Sequence, residues 1–106
     1  MRTKRSTKAK RMSPSTIAKL RPIVLKITQE YGVSNVRIFG SFARGEQRKT
    51  SDVDLLIDLP EGMSLFDLSG LKIDLEDALK RKVDVVPARS IKPMLRDRIF
   101  AEARSL

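Results

Sequence analysis

The 106-residue chain has no histidine and no cysteine. The first absence removes the imidazole base of Ser-His and Cys-His machinery. The second removes thiolate nucleophiles, thiolate zinc sites and disulfides. Any chemistry must therefore run on carboxylates, hydroxyls, lysine, arginine and backbone groups, and a donor set of oxygen alone favours magnesium or manganese over zinc. No apolar run approaches the length of a membrane span, and no signal-peptide core follows the basic start, so a cytoplasmic protein with no membrane partner is expected.

Acidic residues are missing from one end. The chain carries 22 Lys and Arg against 13 Asp and Glu, yet its first twelve residues contain six of the cations and no acid. Without that segment the net charge falls from +9 to about +3, so the basic character belongs mostly to the arm. Residues 1–12 read as a disordered basic arm and residues 13–106 as one domain with a single modest core. An arm of this kind either contacts nucleic acid or keeps the protein soluble. No aromatic residue is interleaved for base stacking, which favours the second reading.

Ser13-Pro14 reads as an N-cap followed by proline at the first helical position. Ile17, Leu20, Val24, Ile27 and Tyr31 then form one helical stripe ending at Gly32. Pro22 predicts a break, with a short helix over 14–20 and the main helix from Pro22 to Tyr31. Asn35–Phe39 is a strand, Ser41–Arg44 a short helical turn, and Val53, Leu55 and Ile57 mark a second strand. Ser64 with Asp67 opens a helix whose stripe is Leu68, Leu71, Leu75 and Leu79. Val83–Val86 is a third strand stopped by Pro87, and a last helix from Pro93 is expected to bury Met94, Ile99 and Ala103. The expected fold is an α+β layer, a three-stranded mixed sheet with helices packed on one face.

Chemistry concentrates at Gly40-Ser41 and at Asp52-Val53-Asp54. A Gly-Ser turn after a strand lets backbone amides approach a phosphate closely. Asp52 and Asp54, two apart on a strand, leave the same face, where two carboxylates repel unless a cation separates them. Asp84, between Val83 and Val85, also points away from the core if the valines point into it. Singly, each Asp fits a solvent-facing position on an uncovered sheet. Three Asp in strand context, at fixed spacing from a Gly-Ser turn, describe instead a site for a metal-bound nucleoside triphosphate. Ser41 has no base to make it a nucleophile and reads as a phosphate ligand. Arg44 either pairs with phosphate or braces the loop through one of the Asp carboxylates. Arg48, Lys49 and Lys82 are nearby cations with solvent as their first expectation.

The run Phe39-Gly40-Ser41-Phe42-Ala43-Arg44-Gly45, followed by Ser51-Asp52-Val53-Asp54-Leu55, resembles the minimal nucleotidyltransferases (MNT) of the DNA-polymerase-beta superfamily. That family is marked by a hydrophobic-Gly-Ser turn, then Asp-hydrophobic-Asp, with a third acid on a later strand, matched here by Asp84. The MntA-like antitoxins of MNT/HEPN toxin–antitoxin systems share its length and the Ala-Arg-Gly after the turn. The resemblance implies that Asp52, Asp54 and Asp84 are catalytic and bind two Mg2+ ions. It implies that Gly40, Ser41 and Arg44 bind the nucleotide, ATP. It further implies AMP transfer to a tyrosine hydroxyl of a cognate HEPN RNase toxin, which neutralises it. No residues are left over for an acceptor-gripping domain, so the acceptor is expected on another protein. Two rival readings are an antitoxin that acts by binding alone and a basic nucleic-acid-binding protein.

Overall fold

The computed structural model describes residues 15–106. The arm and the Ser13-Pro14 helix start lie outside the described residues. Within them the chain forms four helices and four strands: α1 (Ile17–Glu30), β1 (Ser34–Phe39), α2 (Ser41–Arg44), β2 (Val53–Asp58), α3 (Leu65–Leu79), β3 (Val83–Pro87), α4 (Pro93–Glu102) and β4 (Arg104–Ser105), with a 3-10 turn over Ala88–Ser90. The sheet order is β3-β2-β1-β4. β2 runs antiparallel to β1 and parallel to β3, and β4 pairs antiparallel with β1. The sheet is mixed, as the sequence implies, but has one strand more than expected. A two-residue strand carries too little pattern to stand out in a sequence.

α1 is one continuous helix rather than two pieces. Its cap is Thr16, whose hydroxyl accepts from the Lys19 amide, and Pro22 sits inside it. A proline at this depth removes one intrahelical bond, and the packing of Leu20 and Val24 on either side outweighs that loss. α3 begins as the sequence predicts. Ser64 accepts from the Asp67 amide at 3.1 Å while the Asp67 carboxylate accepts from the Ser64 amide at 3.1 Å.

The core lies between α1, α3 and one face of the sheet. It joins Leu20 and Val24 to Val36, Ile38, Val53, Leu55, Ile57 and Val83, and to Leu71, Leu75 and Leu79. Alternation along the strands sends Arg37, Asp54 and Asp84 to the opposite face. There the fold adds something the sequence reading omits. α4 crosses this second face, and the Phe100 ring lies 5.3 Å from the Arg37 guanidinium. Leu56, on the same face as Asp54, is fully buried. The second face is therefore covered in part, and helices flank the sheet on both sides. Met94, expected in the core, is 87% exposed. α4 is mostly surface, touching the sheet through few residues.

Candidate nucleotide site

β1 ends at Phe39, and the chain turns at Gly40 with φ 76° and ψ −150°, a conformation open only to glycine. The reason lies across the sheet. Phe39 is paired with Asp54, and a Cβ on Gly40 would overlap Asp54 Oδ2 and stand 3.1 Å from its Cγ. The turn thus leaves a notch that the Asp54 carboxylate fills. α2 follows at once, anchored by fully buried Phe42, and Gly45 closes it in the left-handed region.

Asp54 sits on an inner strand, with Phe39 in register on one side and Asp84 on the other. Asp52 precedes the strand by one residue and is exposed, as is Asp84. Burial pushes the Asp54 carboxyl up to about 6, with the charges of Asp84 and Asp52 adding to the rise and Arg44 opposing it. The three sequence-predicted carboxylates are therefore neighbours in electrostatic terms. Among the described residues, however, no three acidic side chains are gathered into a ready-made metal cage. The donor chemistry still fits a hard divalent cation. A half-buried carboxylate between two others has a charge that a cation would relieve, and every donor is oxygen.

A cleft of about 440 Å³ opens over this group. Gly40, Ser41, Asp52 and Asp54 form its floor and rim, and Leu95, Ile99 and Glu102 of α4 form the facing wall. Asp84 is placed beside the cleft, through its pairing with Asp54, rather than in its lining.

Two details depart from the sequence reading. Arg44 braces the loop, but not through an aspartate. Its Nε donates to Glu46 Oε1 at 3.0 Å and its Nη1 reaches Glu102 Oε1 and Oε2 at 3.3 and 3.4 Å. The Gly40 amide is also engaged, donating to Glu102 Oε2 at 2.7 Å. Glu102 is the residue that sequence reasoning missed. Nothing in the pattern of α4 marks it, because its role depends on a pairing 62 residues away. The loop before Asp52 is held by Arg81, whose Nη1 donates to Ser51 O at 2.7 Å and Arg48 O at 3.3 Å. Arg48, Lys49 and Lys82 are exposed. Among the described residues no helix is long and apolar enough to cross a membrane.

Comparison with known proteins gives this geometry a family context. The family model described as nucleotidyltransferase domain matches residues 17–106. A candidate protein adenylyltransferase of Methanocaldococcus jannaschii is 51% identical over 85 residues, covering 80% of this chain and 87% of its own. The solved structure of a candidate minimal nucleotidyltransferase superposes with a TM-score of 0.76 at 41% identity, over 86% of this chain and 96% of that one. A complex of a tri-AMPylated Shewanella oneidensis HEPN toxin with its MNT antitoxin shares the fold, with a TM-score of 0.66 at 18% identity over 83% and 69% of the two chains.

Proposed function

The chain belongs to the nucleotidyltransferase domain family, and from that premise we propose that it transfers AMP from ATP to a tyrosine hydroxyl of a HEPN-domain toxin, which it thereby neutralises. The observation that carries this reading is the notch at Gly40, filled by Asp54 and overlooked by the cleft. A Gly-Ser turn and a carboxylate group in direct contact suit a metal-bound triphosphate and little else. The AMPylated toxin in complex with its antitoxin supports the choice of acceptor.

Ser41 would receive a terminal phosphate through its amide and hydroxyl. Gly40, whose amide donates to Glu102, would shape the turn that brings Ser41 to the phosphate. Arg44 lines the cleft and adds positive charge beside the phosphates. Asp52 and Asp54, with Asp84, would hold two Mg2+ ions. When bound, such ions neutralise the triphosphate and lower the cost of charge developing at the α-phosphate. The tyrosine oxygen attacks the α-phosphorus, the bond to the bridging oxygen breaks, and pyrophosphate leaves. Asp84, exposed at the edge of the site, would either complete the second metal site or accept the hydroxyl proton. Positioning and charge neutralisation supply most of the rate enhancement in such a transfer.

Incubation with labelled ATP, magnesium and a HEPN-domain protein, sought among its gene neighbours, tests the reading. The wild type should label the partner on tyrosine, and Asp52→Asn with Asp54→Asn should not. If that double variant protects cells from the toxin as well as wild type does, neutralisation is by binding and the proposal fails.

A further inference from the structure

We propose that Glu102 is a positioning residue for the nucleotide, a carboxylate from α4 that clasps the Gly40–Ser41 turn and aims Arg44 into the cleft. The inference rests on the nucleotide reading above and adds a residue that no motif of the sequence contains.

Sheet register brings Glu102 to its place. β4 pairs Arg104 with Ile38 and Ser105 with Arg37, and the Leu106 amide donates to Val36 O at 2.9 Å. Continuing that antiparallel register by two residues sets Glu102 opposite Gly40. The short β4 strand is thus the device that pins the end of α4 against the turn. The carboxylate then meets three donor contacts. The Gly40 amide donates at 2.7 Å, a charge-assisted bond, and Arg44 Nη1 reaches both oxygens.

The helix itself does not explain an acid there. Glu102 ends α4, where the carbonyl end of the helix disfavours negative charge. What offsets that cost is outside the helix, in the turn and in Arg44. Glu46 holds the same guanidinium from its Nε side. The guanidinium is fixed in this way from two directions, and among the described residues no acceptor engages its Nη2. That edge is left to an anion in the cleft that Arg44 lines. A second reading of the same contacts is that Glu102 is a plug, occupying donors a phosphate would otherwise use. The two make opposite predictions for affinity.

The decisive measurement is magnesium–ATP affinity by titration calorimetry for wild type, Glu102→Gln, Glu102→Ala, Arg44→Ala and the Arg44→Ala/Glu102→Gln pair, each with its melting curve. Loss of the clasp should weaken binding about tenfold in Glu102→Ala, with a smaller loss in the isosteric Glu102→Gln. In the Arg44→Ala background the Glu102→Gln effect should largely vanish, because the two act as a unit. A purely structural Glu102 would lower the melting temperature and leave the affinity of the folded fraction unchanged, which overturns the proposal. Tighter binding in Glu102→Gln overturns it in favour of the plug. If wild type itself binds no magnesium–ATP, the nucleotide reading falls and this inference with it. If wild type binds and the variants match it, only this inference falls.

Discussion

The Asp54 carboxylate lies against the α-carbon of Gly40, so closely that any side chain there would overlap its Oδ2. Two requirements coincide at this one position. The backbone needs a positive φ, and the neighbouring strand needs the space a Cβ would take.

Gly40→Ala should therefore fail twice. Backbone strain alone costs about 1–3 kcal/mol, and displacement of Asp54 adds to it. Nucleotide binding should be lost even at temperatures where the variant is folded. Ser41→Ala provides the contrast: it keeps the fold and its melting temperature while weakening binding. Calorimetric titration beside thermal melts checks both, and a Gly40→Ala protein that binds ATP normally would refute the account of the notch.

Asp54→Asn should stabilise the protein while abolishing transfer. The folded-state carboxyl is raised from the ordinary 3.8 to about 6, by burial first and by Asp84 and Asp52 next. Between those values the native state holds its proton more tightly than the unfolded chain does. Stability from this group is thus greatest below about pH 4 and declines as pH rises towards 6. Asn carries no charge and can donate to Asp84, as only the protonated acid can. In chelator at pH 7 the variant should melt above wild type, and the gap should close near pH 4. Magnesium should raise the wild-type melting point and leave that of the variant nearly unmoved. A variant less stable than wild type at pH 7 would show that the Asp54 charge is not the strained element.

Arg81 should matter to the loop before the Asp pair. It binds the Ser51 and Arg48 carbonyls and lies 5.2 Å from the centre of the Phe42 ring, joining the loop to the helix that follows the Gly-Ser turn. Arg81→Ala should cost about 1–2 kcal/mol from the lost bonds and stacking and expose residues 46–51 to proteolysis. Lysine should rescue little, since it offers neither the planar face nor the fork of donors. Urea denaturation and limited digestion with and without nucleotide measure the effect.

Much of this architecture is legible in the sequence wherever a signal is local. The Ser64–Asp67 capping box, the Leu71–Leu75–Leu79 stripe and the strand around Asp54 follow from spacing alone. So does the side of the sheet on which Asp54 and Asp84 fall, because alternation fixes it. What escapes is non-local. Glu102 acquires meaning only from the β1–β4 register, and β4 itself is two residues long. α4 covers the second face with Phe100 and Ile99, while Met94 stands in solvent, an arrangement its weakly patterned sequence does not reveal. The local signal that misleads is Pro22, whose penalty is real but smaller than the packing on both sides of it.

That last point yields a prediction of its own. Pro22 is exposed within a continuous α1, so its ring contributes little packing. Alanine there would supply the missing amide to the Ala18 carbonyl and relieve the ring's clash with it. The helix-interior preference for alanine is about 3 kcal/mol, less about 0.4–1 kcal/mol for the freedom regained by the unfolded chain. Pro22→Ala should then stabilise the protein by about 2 kcal/mol, with magnesium–ATP affinity unchanged, because α1 packs on the face opposite the cleft. Were the helix broken at residue 22 in solution, proline would suit the break and alanine would be neutral or harmful. Chemical denaturation of the single variant decides between a strained continuous helix and two short ones.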